Sequence, residues 1–202
     1  MNLWIADYPL VLASGSATRR RLLAGAGLAF EAAAPQVDER AVEAATPDRT
    51  PERVARALAR AKALDASARK PGALVIGADQ VMSLDGRLFH KSRDRAAALA
   101  TLAALSGRTH RLTSAFALAR AGEIVAEETD AADMTMRALD AAALGLYLDL
   151  AGPDVLGSVG VYQWEGFGAH LFERVEGDHS TVLGLPMLKL LAALRRLGAL
   201  AL

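Results

Sequence analysis

Cysteine is absent from this chain of 202 residues, which excludes a disulfide scaffold, a thiolate zinc site and a cysteine nucleophile together. Net charge is absent as well, because 23 Lys and Arg balance 23 Asp and Glu. A protein that binds a nucleic-acid backbone needs a clear cationic excess to release counterions, so no nucleic-acid partner is expected. Charges interrupt every apolar stretch well short of the ~18 residues that suggest a membrane span. The amino-terminal MNLWIADYPLVLASGS has neither the basic start nor the sustained apolar run of a signal peptide. The expectation is a cytoplasmic protein with no membrane partner. The four histidines, His90, His110, His170 and His179, are scattered without metal-ligand spacing, which disfavours zinc. No serine sits in a nucleophile-elbow pattern, which disfavours a hydrolase triad. Repeats and low-complexity linkers are missing too.

What is present is enough apolar material for a core: 52% of the residues are hydrophobic. The length suits one α/β domain or two small lobes sharing a core. Leu10 to Ala13 is a short apolar run closed by Ser14, Gly15 and Ser16, the pattern of a buried strand ending in a polar turn. Helical character follows from Arg19 to Ala26, stopped by Gly27. Phe30 to Ala34 reads as a second strand ended by Pro35. The clearest helix is Pro51 to Ala68, with Thr50 as N-cap, Pro51 in the first turn and Glu52 at the positive end of the dipole. A strand over Leu74 to Leu84 runs into the hairpin turn Asp85-Gly86. Arg93 to Leu105 reads as a helix, Thr109 to Arg120 and Glu123 to Arg137 as a long hairpin, and Asp140 to Leu150 as a further helix. Val155 to Glu176 is rich in glycine and reads as strand and loop, and Pro186 to Leu197 closes as an amphipathic helix. Strands alternating with helices, plus a hairpin, predict an α/β fold on a mixed sheet.

Four places carry chemistry. Ser14-Gly15-Ser16-Ala17-Thr18-Arg19-Arg20-Arg21 joins a strand to a helix start, where free N–H groups, hydroxyls and guanidinium forks make a phosphate site. The same residues also suit an ordinary polar turn with solvated arginines. Asp79, in Gly77-Ala78-Asp79-Gln80, interrupts an apolar run, so its carboxylate needs a partner, a metal or a cleft; a bond to neighbouring backbone serves equally. Lys62 and Lys91 read as solvated lysines or as partners of such a site. Val37-Asp38-Glu39 falls in a presumed loop, either a Mg²⁺ site completed by water or a solvated acidic pair. Trp164-Glu165-Gly166-Phe167-Gly168 sets an acid among glycines and rings, either a packed turn or a base-recognition element.

LASGSATRR, AAPQVDE, ARAKA, GADQV, a lysine after a DG hairpin, EGFG and GLPM occur in this order from about Leu10 to Leu197, and together they resemble the Maf family of nucleotide pyrophosphatases. The resemblance implies a single Maf-like domain over residues 1–202. Its fold would be α/β, an elongated twisted mixed sheet flanked by helices, with two lobes and a central nucleotide cleft. It implies a nucleoside triphosphate substrate, cleavage to monophosphate and pyrophosphate, a divalent cofactor (Mg²⁺ or Mn²⁺) and a homodimer. Carried over by position, Ser14, Ser16, Arg19 and Arg20 line the phosphate pocket. Lys62 and Lys91 reach the triphosphate, Glu39 sits near the metal, and Asp79 is the proton acceptor and second metal residue.

Members that prefer dTTP and UTP usually carry Arg, Thr and Gln where this chain has Thr18, Gln80 and Glu165; Gln80 and Glu165 instead look like the 7-methyl-GTP subgroup. Three places depart from the family pattern. Ala17 replaces a proline, Thr18 replaces the subgroup's tryptophan, and His90 and Ser92 flank Lys91 in place of glycine and proline. The alternatives are a pyrimidine-preferring pyrophosphatase and a nucleotide-binding regulator of cell division with little catalysis.

Overall fold

The computed structural model describes residues 3–202. Seven strands and seven α-helices follow one another as β1 (Leu10–Ala13), α1 (Ala17–Gly25), β2 (Glu31–Ala32), α2 (Glu39–Ala45), α3 (Pro51–Arg69), β3 (Leu74–Leu84), β4 (Arg87–Phe89), α4 (Arg95–Leu105), β5 (Thr109–Arg120), β6 (Glu123–Met136), α5 (Ala141–Ala151), β7 (Phe172–Glu176), α6 (His179–Val182) and α7 (Met187–Arg196). The sheet order is β2-β1-β3-β5-β6-β7, with β4 paired to β3. β1 is parallel to β2 and β3, while β4 and β7 are antiparallel to β3 and β6. The fold is therefore α/β on an open mixed sheet, as the alternating pattern predicts. Among the described residues no helix is long and apolar enough to cross a membrane.

The chain divides into two compact units. The first takes the chain up to Gln80, Thr113–Asp130 and His179–Leu202. Its parallel strands β1 and β3 are buried on both faces, and side chains alternate between them. Leu10 and Leu12 of β1 and Leu74, Ile76 and Ala78 of β3 join Phe116, Leu118, Leu190 and Leu194 in the larger core. Val11, Ala13 and Val75 pack on the other face with Ala66 of α3. Gly77 shares that second face. A Cβ there would lie 2.2 Å from the Ala59 carbonyl oxygen and 2.4 Å from the Ala63 nitrogen, so only glycine lets α3 come this close to β3. The helix holds its place through the expected cap, with Thr50 Oγ1 accepting from Arg53 N at 3.3 Å.

The second unit takes Val81–Leu112 and Ala131–Asp178. Helices α4 and α5 pack together and bury Leu102, Leu105, Leu144 and Leu148. An aromatic cluster completes it: Tyr162 and Trp164 stand edge-on to Phe172, with centroids at 4.7 and 5.8 Å, and His110 lies against Tyr162 and Phe172. His110 Nε2 and Tyr162 Oη are 2.7 Å apart, and Nδ1 has no partner among the described residues. Glycine-rich Val155 to Glu176 resolves into two short 3₁₀ turns, Pro153–Gly157 and Phe167–Leu171, followed by β7.

Two local readings need correction. The presumed loop around Asp38-Glu39 opens helix α2, whose N-cap is Asp38, accepting from Ala41 N at 3.1 Å. The capping signal was present in the sequence. The helix buries no residue, so no apolar stripe announced it. The strand expected over Phe30 to Ala34 shrinks to two exposed residues on the sheet edge.

Burial holds the His110 imidazole near a pKa of about 4, well below its usual 6.5. The neutral ring suits the fold, so its contribution is complete above about pH 6.5 and is lost progressively as pH falls toward 4. The expected loss reaches about 3 kcal/mol at pH 4. Urea denaturation at stepped pH checks this: His110→Gln should flatten the acid limb between pH 6.5 and 4 relative to the parent.

Candidate active site

The turn after β1 forms first. β1 pairs with β3 only as far as Ala13 opposite Gly77, and β3 runs on past that register without β1. Asp79 and Gln80 lie just beyond it, where the chain leaves β1 as Ser14-Gly15-Ser16. Such a crevice at the carboxyl end of parallel strands is a general ligand position in α/β sheets. Ser16 is the N-cap of α1, its hydroxyl accepting from Arg19 N at 3.3 Å. No acidic residue occupies the first turn of α1 to cancel its positive end.

Arg19 is fastened on three sides. Its Nε donates to the Gly184 carbonyl at 2.8 Å, and Nη1 donates to the Ala78 carbonyl at 3.0 Å and to Ser14 Oγ at 3.3 Å. Burial lowers the Arg19 pKa from its usual value, opposed by the charges of Asp79 and Glu39. Thr18 is half-buried on the same turn, and Arg20 is exposed to solvent.

The alternation that puts Ala78 on the larger core turns Asp79 to the opposite face, toward α3. The buried stripe of α3 reads Val54, Ala55, Leu58, Ala59, Lys62, Ala63 and Ala66, so Lys62 takes a position where the helical period calls for an apolar residue. Its Nζ lies 2.5 Å from Asp79 Oδ1 and 2.6 Å from Glu39 Oε1. Lys62 is 6% exposed and Asp79 8%, whereas Glu39 is an exposed residue at the start of α2. Burial raises the Asp79 pKa above the ordinary carboxylate value, and Lys62 and Arg19 pull against that shift. A buried base flanked by two cations and a helix start is equipped to bind a polyanion and move a proton beside it.

A family model described as "Maf-like protein" matches residues 9–197. The chain belongs to the Maf family. A curated relative from Bradyrhizobium diazoefficiens, named nucleoside triphosphate pyrophosphatase, is 52% identical over 96% of each chain. One of the same name from Nitrobacter hamburgensis is 49% identical over the full length of both. A relative from Rhizobium etli, named 7-methyl-GTP pyrophosphatase, is 52% identical over 95% of this chain and 97% of its own.

In this Maf-family chain, the first unit alone gathers Ser14, Ser16, Arg19, Lys62, Asp79 and Glu39 through the contacts above. Gln80 belongs to that unit too, half-buried on the face opposite Asp79. Lys91 and Glu165 belong to the second unit. Lys91 is exposed in the segment after β4, and Glu165 is exposed just before the second 3₁₀ turn. Four residues ahead of Glu165, Val161 has φ +59, a left-handed value that a β-branched side chain resists. Tyr147 Oη donates to its carbonyl at 3.0 Å and helps to hold it. Sequence reasoning passed over Ser114 and Thr181, which hold Gln80; neither carries a motif of its own.

Replacing Lys62 should be far more damaging to the fold than replacing Asp79. Lys62→Met strands a buried carboxylate, with an expected loss of about 3 kcal/mol or more. Asp79→Asn leaves Lys62 its second partner, Glu39, and should lose much less. Chemical denaturation of the two variants side by side reads the difference, and equal losses would show that the pair is not held as described.

Proposed function

We propose that this nucleoside triphosphate pyrophosphatase of the Maf family cleaves a guanine nucleotide of the 7-methyl-GTP kind to its monophosphate and pyrophosphate. The observation that carries the chemistry is the buried Asp79 carboxylate beside Lys62, next in sequence to the residue that fastens Arg19. The names of the relatives support the reaction class and include both a general and a 7-methyl-GTP activity.

The α1 start, with Ser14 and Ser16, receives a phosphate through its N–H groups and hydroxyls. Arg19 and Lys62 neutralise the charge that builds on the leaving pyrophosphate, and Lys91 and Arg20 are assigned to the phosphates by the family pattern. Asp79 accepts a proton from the attacking water as the water oxygen bonds to phosphorus and the bond to the pyrophosphate oxygen breaks. Asp79 must be ionised for this, and the two cations favour that form. Positioning and charge neutralisation supply most of the rate, because phosphoryl transfer demands little else.

The donor set suits a divalent cation of the Mg²⁺ or Mn²⁺ type. Glu39 and Asp79 already converge on one positive charge, the Lys62 ammonium, and both offer hard oxygen donors. Among the described residues no group of three His, Cys, Asp or Glu could cage a metal. A Mg²⁺-type ion is commonly held by one or two carboxylates together with substrate phosphates and water. When bound, such an ion would neutralise phosphate charge.

The base assignment is chemical. The Glu165 carboxylate can accept from the N1–H and N2–H₂ of guanine, and the methylated base is cationic, which favours an acidic residue and a ring such as Trp164. Thr18 and Gln80 complete the specificity set. The cytoplasm as its location and a homodimer as its assembly belong to the same proposal.

Asp79→Asn should lower turnover by about 10²–10⁴-fold while nucleotide binding persists. Single-turnover pyrophosphate release and equilibrium binding measure the two separately, and a near-normal kcat removes Asp79 from catalysis. Glu165→Gln should shift the ranking among 7-methyl-GTP, GTP, UTP, dTTP, CTP and ITP away from the guanine bases. A parent that prefers UTP or dTTP keeps the enzyme and discards the guanine reading.

A further inference from the structure

GLPM, the last of the family-like motifs, has no part in the chemistry above, yet the turn it opens holds Arg19, and the end of α6 just before it holds Gln80. Leu183, Gly184, Leu185 and Pro186 connect α6 to α7, and Leu185 and Met187 are anchored in the larger core. From that anchored turn the Gly184 carbonyl accepts from Arg19 Nε at 2.8 Å. One turn earlier in the chain, the Thr181 and Val182 carbonyls accept from Gln80 Nε2 at 3.0 and 3.1 Å. Ser114 Oγ accepts from the same nitrogen at 3.0 Å and donates to the Thr181 carbonyl at 2.8 Å.

An amide nitrogen has two hydrogens, and here three acceptors surround it. Turning the amide over would set its oxygen against two carbonyls. Its orientation is therefore fixed, and no hydrogen of Nε2 remains for a ligand. Ser114 and Thr181 are fully buried, so the framework is screened from water. It is braced from behind as well: Thr181 Oγ1 donates to Asp130 Oδ2 at 2.7 Å, and the other Asp130 oxygen pairs with Lys189 of α7 at 2.7 Å.

We propose that the end of α6, the α6–α7 turn and Ser114 are positioning elements: α6 and Ser114 hold Gln80 as an obligate hydrogen-bond acceptor toward the base, and the turn aims Arg19 at the phosphates. This rests on the reading of Gln80 as a base-facing residue and of Arg19 as a phosphate ligand. A nucleobase that presents an N–H to Gln80 Oε1 gains a bond there, whereas one that presents a lone pair meets a like partner. Gly184 serves the second half of the arrangement. Its φ is +94, and a Cβ would stand 3.4 Å from Arg19 Nη2 and 3.5 Å from Nε, so a side chain there strains the backbone that carries the accepting carbonyl while lying in contact with the guanidinium.

Two variants separate the two tasks. Ser114→Ala leaves the Gln80 amide held by the two backbone carbonyls alone and loosens its aim, and should compress the preference for bases with a ring N–H over CTP by about three- to tenfold, the effect of one buried hydrogen bond. Ser114→Thr, which keeps the hydroxyl, should restore it. Gly184→Ala should instead raise KM for every nucleotide in common and weaken inhibition by inorganic triphosphate, with the base ranking unchanged. A purely structural role would lower melting temperature and depress all substrates alike in both variants, and that result overturns the proposal. So does an unchanged ranking in Ser114→Ala, which decides the matter even where Gly184→Ala does not fold. Binding of α,β-methylene analogues of the same nucleotides is measured alongside turnover. If the parent releases no pyrophosphate, the pyrophosphatase reading fails, and the ranking of analogue binding still decides whether Ser114 positions Gln80.

Discussion

The Lys62 ammonium, buried between the carboxylates of Asp79 and Glu39, is the interaction on which the candidate site depends. An unpaired charge at that depth would be severely destabilising, so the helix that carries Lys62 and the strand that carries Asp79 must meet in one register. Gly77 makes the meeting possible, because the backbone of α3 occupies the space a side chain would need. The same arrangement leaves Asp79 desolvated, with a raised pKa and cations nearby. Burial disfavours its charge, Lys62 and Arg19 favour it, and together they equip it to take up a proton.

Strand alternation divides the labour. Asp79 faces α3 and its lysine, while Gln80, one residue on, faces the side where Ser114 and the α6–α7 turn lie. Two adjacent residues thereby receive unrelated environments, one electrostatic and one built of directional hydrogen bonds. Arg19 joins them, since its guanidinium is held by the carbonyl of Ala78 and by that of Gly184. The framework is built of directional bonds: Arg19 spends three N–H donations on it, and both hydrogens of the Gln80 amide are taken up by the three acceptors around them.

Much of this was legible from residue order. The cap at Thr50, the Asp85-Gly86 turn and the long β5–β6 hairpin declare themselves through local chemistry that acts over a few residues. Helix α2 did not, because it buries nothing and so lacks an apolar stripe, and β2 proved to be only two residues of edge strand. Lys62 was an ambiguous lysine in the sequence. The apolar stripe around it was the available signal, since a lysine on a buried face must find a carboxylate.

By itself the sequence determined the class of fold, the order of most of its elements and a motif series specific enough to name the family, because periodicity, caps and turns are local properties. Only the tertiary structure decided which carboxylate Lys62 pairs with, which face Gln80 takes, and that Ser114 and the end of α6 fix its amide. Those contacts join residues from 17 to 102 positions apart along the chain. No local propensity encodes them; they follow from which strands pair and how closely a helix can approach.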